Sequence, residues 1–300
     1  MITLHSIADL QALAAPVHLA MGFFDGVHLG HRRVIEAASS APLRGVLTFE
    51  QHPLSLLAPQ RSPQLLTPCA RQKADLLAAA GVSVLLSLRF NAALAALPPR
   101  DFLDALLASG RVAGFSVGRN WRFGAGGAGD AAFLQAYGAE KGIPVAVNDM
   151  VEHAGDCVCS SRIRTLVSAG DLATAAAMLG HPFAVAGVVE QGQHLARRLG
   201  FPTANIAVAQ PAALPPFGVY IVETEVDGVR YRGVGNLGIR PTIDEAEKVV
   251  RLETHLLDFS GDLYGRYLCM EFRDFIRPER RFGSLDELRA QIAADIAAAR

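Results

Sequence analysis

The sequence predicts two folds in one chain: an α/β domain built on a parallel sheet, then a small antiparallel β-barrel closed off by a single C-terminal helix. Three observations carry this. Short apolar strands alternate with helical stretches as far as Pro182, the pattern of βαβ units. Beyond Pro182, strand-like runs follow one another with only turn residues between them. The chain then ends in one capped amphipathic segment. The change of rhythm sets a domain boundary near residue 182, giving domains 1–182 and 183–300.

In order, Val17 to Met21 reads as a buried strand running into a Gly-bearing turn and a helix. Val46 to Phe49 is the next strand, and a Pro-rich loop spans residues 53 to 68. Ala70 to Ala80 is helical in composition and stops at Gly81; Val82 to Leu88 is again strand-like. Asp101 to Ser109 reads as a helix ended by Gly110, and Val112 to Val117 as a strand. Leu172 to Leu179 is a last helix, closed by Gly180 with Pro182 just beyond. In the second half, residues 184–190, 219–226, 231–234, 249–257 and 267–276 read as strands, with turn chemistry at Asp227-Gly228 and Ser260-Gly261. Ser284 and Glu287 form a capping box ahead of a stripe of Leu285, Leu288, Ile292 and Ile296.

Composition narrows the class. Twenty-eight basic against 29 acidic residues leave a net charge of −1, so no basic field argues for nucleic acid as partner. No apolar run is long enough to span a bilayer, and the first residues lack the features of a signal peptide. Four irregularly spaced cysteines (69, 157, 159 and 269) read as reduced thiols of a cytoplasmic protein.

The most informative stretch is Gly22-Phe23-Phe24-Asp25-Gly26-Val27-His28-Leu29-Gly30-His31. A strand-to-helix turn in an α/β sheet aims backbone N–H groups and the positive end of the helix dipole at one point, a phosphate site. His28 and His31, three positions apart, could reach one phosphate group. Later come a Gly-rich aromatic loop, Val117-Gly118-Arg119-Asn120-Trp121-Arg122-Phe123-Gly124, and Cys159-Ser160-Ser161-Arg162-Ile163-Arg164 before a helix. Guanidinium groups fork onto phosphate oxygens, so the second of these suits a polyphosphate.

The turn resembles the HxGH motif of nucleotidyltransferases. In order and spacing the three segments resemble the adenylyltransferase half of bifunctional bacterial riboflavin kinase/FAD synthetases. That resemblance implies a Rossmann-like nucleotidyltransferase domain converting FMN and ATP to FAD and pyrophosphate. It implies that His28 and His31, with Phe24, Asp25 and Gly30, hold the ATP phosphates. Arg164, helped by Arg162 and Ser161, would take the departing pyrophosphate, while Asn120 and Phe123 would bind flavin. The chain departs from the family pattern at Phe23, Gln51, Trp121 and Cys159.

In the second half, Gly192 to Asn205 is a polar loop ending in Pro202-Thr203-Ala204-Asn205. If this end is extended, Thr203 and Asn205 point to one side, and their oxygens suit Mg²⁺. Glu253 lies on an otherwise apolar strand. The PTAN element, Gly235-Asn236-Leu237-Gly238-Ile239-Arg240-Pro241-Thr242, the run from Glu253 to Gly265 and Arg277-Pro278-Glu279 together resemble riboflavin kinase. The resemblance implies that riboflavin is phosphorylated by ATP to FMN and ADP, with Glu253 as base and Thr203 and Asn205 on Mg²⁺. Arg197 and Gly200 would belong to the ATP loop and Arg277 to the flavin site. Ala196 stands where the family usually has Gly; if that backbone needs a positive φ, a Cβ there costs roughly 1–2 kcal/mol. Slower turnover or weaker ATP binding follows from that.

Two other readings remain open on sequence alone. One keeps the kinase active and leaves the N-terminal domain drifted; the other makes the chain a flavin or nucleotide sensor without catalysis. ADP release with riboflavin, measured apart from pyrophosphate release with FMN, separates all three. The sequence is silent on oligomeric state.

Overall fold

The computed structural model describes residues 1–191, 201–241 and 248–300. The chain divides into two compact units: Met1–Gln64 with Lys73–Ser160, and Leu65–Gln72 with Ser161–Arg300.

The first unit is built on six parallel strands: β1 (Ile2–Leu4), β2 (Val17–Met21), β3 (Leu43–Phe49), β4 (Val84–Leu88), β5 (Val112–Gly118) and β6 (Val145–Asn148). Their spatial order is β1-β4-β3-β2-β5-β6. The order reverses between β2 and β5, so the crevice beyond their carboxyl ends is where such a sheet binds ligands. Every residue of β2 is buried, as expected of a strand covered on both faces. Leu19, Met21, Leu47, Phe115 and Val117 belong to one core cluster and Ala20, Val46, Leu85, Ile35 and Leu77 to a second. Helices α1 (Leu29–Glu36), α2 (Ala70–Ala79, from Lys73 on), α3 (Pro99–Leu107) and α4 (Ala131–Lys141) alternate with the strands.

Of the six strands in this sheet, two are absent from the sequence reading, β1 and β6. Each is only three or four residues long and lies at a sheet edge, too short to show a period. The Pro-rich stretch after residue 53 is not all loop: Leu54–Leu57 forms one helical turn and Pro59–Arg61 a 3₁₀ turn.

The second unit contains helices α5 (Ser160–Ala169, from its second residue) and α6 (Leu172–Leu179), then a closed antiparallel barrel. Its strands are β7 (Ala184–Glu190), β8 (Ala204–Ala207), β9 (Gly218–Val226), β10 (Val229–Pro241), β11 (Lys248–Leu256) and β12 (Tyr267–Pro278). They run in the order β7-β8-β11-β10-β9-β12, and β12 closes onto β7. Asp227 (φ 53°) and Gly228 (φ 79°) make the two-residue turn between β9 and β10, where both positions need the left-handed conformation. Ser260-Gly261 is not such a turn; it lies in the longer connection between β11 and β12.

Helix α7 (Leu285–Ala299) closes the chain. Ser284 caps it through its hydroxyl, which accepts from the Glu287 N–H at 3.2 Å, while the Glu287 carboxylate accepts from Gly283 N–H at 2.8 Å. The stripe differs from the sequence reading at its start: Leu285 is exposed, whereas Asp295 and Ala299 are buried. Among the described residues, no helix is long and apolar enough to cross a membrane. None of the four cysteines is in a disulfide.

Candidate active sites

The first site begins where β2 ends. The chain leaves the sheet through a strained turn: Phe24 (φ 57°), Gly26 (φ 82°) and Val27 (φ 41°) all lie in the left-handed region, which non-glycine residues enter only at a cost. Two hydroxyls hold it. Thr48 Oγ1 donates to the Phe23 carbonyl at 2.9 Å, and Ser160 Oγ donates to the Asp25 carbonyl at 3.0 Å.

His28 is the N-cap of α1 rather than a member of its first turn. Its Nδ1 accepts from the His31 N–H at 3.3 Å. A ring nitrogen that accepts carries no proton, so the imidazole proton sits on Nε2, where it can donate. The His28 and His31 rings stack at 3.6 Å with 18° between planes, and the Phe24 ring meets His31 edge-on at 5.1 Å. Gly30 makes room for this pair: a Cβ there would come within 3.1 Å of His28 Cε1. Phe24, Asp25, His28, Gly30 and His31 are thus brought together at the N-terminus of one helix.

Across the switch point, β5 leads into Asn120, which is exposed. Phe123 is buried in the core, with Trp121 stacked on it at 4.5 Å and 12°. Ser161, Arg162 and Arg164 lie in α5, in the second unit.

Lys73 is a residue of this site that the motifs do not include. Its ammonium is buried on α2, donating to Thr48 Oγ1 at 3.0 Å and sitting 4.0 Å from the centre of the Phe23 ring. Burial pushes its pKa down to about 7, against the upward pull of the Asp25 charge. The available signal was a lysine at i to Leu77 at i+4, a charge on the stripe that faces the core.

The second site is a row across the barrel. Asn205 on β8 lies directly opposite Glu253 on β11, which lies directly opposite Asn236 on β10. Residues paired in this way share a face of the sheet. The row continues through Val219 on β9 to Arg277 on β12. Asn205 Nδ2 donates to the carbonyl and the hydroxyl of Thr203 at 3.3 and 3.4 Å, while its buried Oδ1 has no hydrogen-bond partner among the described residues. A buried amide oxygen left unpaired is costly, and a hard cation would satisfy it. Thr203 and Asn205 therefore fit Mg²⁺ as neutral oxygen donors. No group of three or more His, Cys, Asp or Glu among the described residues forms a metal cage.

Two cavities meet at Thr203. One of about 640 Å³ is lined by Thr203, Asn205, Thr254, Phe259, Asp262 and Tyr264. The other, about 240 Å³, is lined by Thr203, Glu253, Asn236, Arg277 and the Leu288 and Ile292 side of α7. Arg277 is already engaged. Its Nε and Nη2 donate to the carboxylate of Asp295 at 2.9 and 2.7 Å, and Asp295 is 3% exposed. Asn236 donates to Glu279 at 3.2 Å. Arg197, Gly200, Ala196 and Thr242 lie outside the described residues.

Residues 10–162 match the family model described as FAD synthetase, and residues 179–300 the model described as riboflavin kinase. A bifunctional riboflavin kinase/FMN adenylyltransferase of Pseudomonas fluorescens is 40% identical over 93% of this chain and 91% of its own length. The chain belongs to the bifunctional riboflavin kinase/FMN adenylyltransferase family. The Escherichia coli K12 member is also 40% identical, over 94% of this chain and 91% of its own; that of Bacillus subtilis is 34% identical over 97% and 93%. The chain is therefore a transferase, with its adenylyltransferase match ahead of its kinase match. A crystal structure described as a macrolide-efflux protein from Streptococcus pneumoniae shares the fold throughout, with TM-score 0.84 and 27% identity over 100% of this chain and 99% of that one.

Within this family frame, sequence reasoning missed Asp295 as well as Lys73. Both are charges on the buried stripe of an amphipathic helix. Asn236, within the 235–242 motif, is a further residue of the site that pairing with Glu253 reveals.

Proposed function

We propose that the barrel transfers the γ-phosphoryl group of ATP to the 5′-hydroxyl of riboflavin, and that the N-terminal domain joins the FMN formed to AMP from a second ATP, releasing pyrophosphate. In this proposal the functional boundary falls at residue 182 and the compartment is the cytoplasm. The observation that carries the reading is the row Asn205–Glu253–Asn236, which sets a carboxylate beside an unsatisfied amide oxygen at the junction of two cavities.

The two reactions ask different things of the protein. An alcohol has a pKa far above 7, so phosphorylation of riboflavin gains from a positioned base. Glu253 takes the hydroxyl proton as the new O–P bond forms and the bond to ADP breaks. Thr203 and Asn205 would hold Mg²⁺, which would neutralise charge on the ATP phosphates. The larger cavity takes the nucleotide and the smaller one riboflavin, with Thr203 on the wall they share. Arg277 borders the flavin side and acts there chiefly by fixing α7 through Asp295. Arg197 and Gly200 keep their assignment to the ATP loop.

Adenylyl transfer needs no base, because a phosphomonoester with a second pKa near 6 is already anionic at neutral pH. The requirement is to offset repulsion between anions and to stabilise the in-line transition state. His28 and His31, at the N-terminus of α1, hold the ATP phosphates with help from the turn Phe24–Asp25 and the space at Gly30. Arg164, Arg162 and Ser161 take the pyrophosphate. Asn120 positions flavin or nucleotide, and Phe123 serves from the core by backing Trp121.

The test is incubation of purified protein with riboflavin, ATP and Mg²⁺, followed by chromatographic separation of the flavins. FAD supports both assignments. FMN that persists without FAD removes the adenylyltransferase assignment; unchanged riboflavin removes the kinase assignment, and added FMN that then yields no FAD removes the other.

A further inference from the structure

The turn that carries His28 is strained at two non-glycine residues, Phe24 and Val27, each fully buried. Positions of this kind cost on the order of 1–3 kcal/mol each and persist only where the surroundings fix them. On the β3 side, what fixes this turn is a relay of two hydrogen bonds. The Lys73 ammonium donates to Thr48 Oγ1, and the Thr48 hydroxyl donates to the carbonyl of Phe23, the residue just before the strained Phe24. Phe24 in turn packs edge-on against the His31 ring.

We propose that Lys73 is a positioning residue for adenylyl transfer, holding through Thr48 the strained turn from which His28 and His31 meet the nucleotide. The inference rests on the adenylyltransferase reading above.

Two features separate this from ordinary packing. Lysine is almost never fully buried unless its charge is paired, yet Lys73 is 9% exposed, and although the Asp25 charge attracts it, the hydrogen bond it donates goes to the neutral Thr48 hydroxyl. A methylene chain would fill the same space without that cost, so what the lysine adds is a donor, charged or neutral, aimed at Thr48. The Phe23 ring beneath the ammonium also holds it in place. The residue touches neither substrate in this account; it acts on the geometry of those that do.

The experiment measures FAD formation from added FMN and MgATP, with riboflavin phosphorylation by the same preparation as a reference. Lys73→Met keeps the stem and removes the donor. It is expected to lower kcat for FAD by about 10²-fold, the scale of a misplaced reacting group, with KM for FMN and the kinase rate unchanged. Thr48→Val should do the same, Thr48→Ser should restore near wild-type kcat, and the double variant Lys73→Met/Thr48→Val should be no slower than Lys73→Met alone. Wild-type kcat in Lys73→Met, whatever its melting temperature, overturns the inference. So does a Thr48→Ser variant as slow as Thr48→Val, or two losses that multiply. If Lys73→Met fails to fold, the Thr48 pair decides. FAD made by the wild type but unaffected by the variants defeats this inference alone; a wild-type protein that makes no FAD defeats the adenylyltransferase reading, and this inference with it.

Discussion

Glu253 owes its position to register. A slip of one residue between β8 and β11 would turn its carboxylate to the opposite face, away from Asn205. Replacing it with Gln keeps the shape and removes the base, so Glu253→Gln is expected to lower kcat for FMN formation by about 10²–10⁴-fold and to leave FAD synthesis from added FMN unchanged. Flavin chromatography from each substrate separately reads both. Lys73 makes a different expectation at the same scale. Burial lowers the pKa of its amine to about 7 in the folded protein, from the 10.5 of a solvated lysine. Between those values the unfolded chain binds more protons than the folded one, so stability rises with pH, by up to about 1.4 kcal/mol per pH unit. Below about 7 both states are protonated and this slope vanishes. Lys73→Met should lack the slope. The single tryptophan, Trp121, lies in the same unit and reports its unfolding in urea at each pH.

At the scale of elements, α7 shows what a sequence displays and what it hides. Its cap and its period were readable, because both are local: Ser284 and Glu287 stand three apart, and the apolar residues repeat every three or four. That Leu285 would face solvent and Asp295 the barrel was not readable, since the partner that makes a buried Asp affordable, Arg277, lies 18 residues earlier on β12. The same holds for Lys73, whose partner Thr48 is 25 residues away on β3. The HxGH turn was legible because its strand, glycines and histidines are contiguous, whereas the pairing of Asn205 with Glu253 exists only once the barrel closes. Breaking the α7 clamp has a definite cost. Asp295→Ala leaves the Arg277 guanidinium, 18% exposed, without its carboxylate; removing one partner of a buried pair costs about 3–5 kcal/mol. Urea unfolding should show a loss toward the lower end of that range, because some water reaches the arginine. Riboflavin KM should rise, as α7 lines the smaller cavity.

For the whole molecule, the question is whether two chemistries on one chain depend on each other. Thr203, Asn205, Glu253 and Arg277 belong to the barrel unit, and His28 and His31 to the N-terminus of α1 in the first unit, two units with separate cores. Loss of one should therefore spare the other. His28→Ala combined with His31→Ala is expected to abolish FAD formation while riboflavin is still phosphorylated at the wild-type rate, so FMN accumulates. Glu253→Gln is expected to show the converse: no FMN from riboflavin, but FAD from added FMN. Mixing the two variants makes the stronger measurement. If FMN leaves the barrel into solution, the mixture restores FAD from riboflavin, and its rate rises with the concentration of the Glu253→Gln protein. If FMN passes directly within one chain, the mixture stays at the FMN stage until free FMN builds up, and FAD appears only after a lag. The same time course checks the site assignment, because a mixture that phosphorylates no riboflavin would place a kinase function on His28 or His31 and end the separation of the two sites.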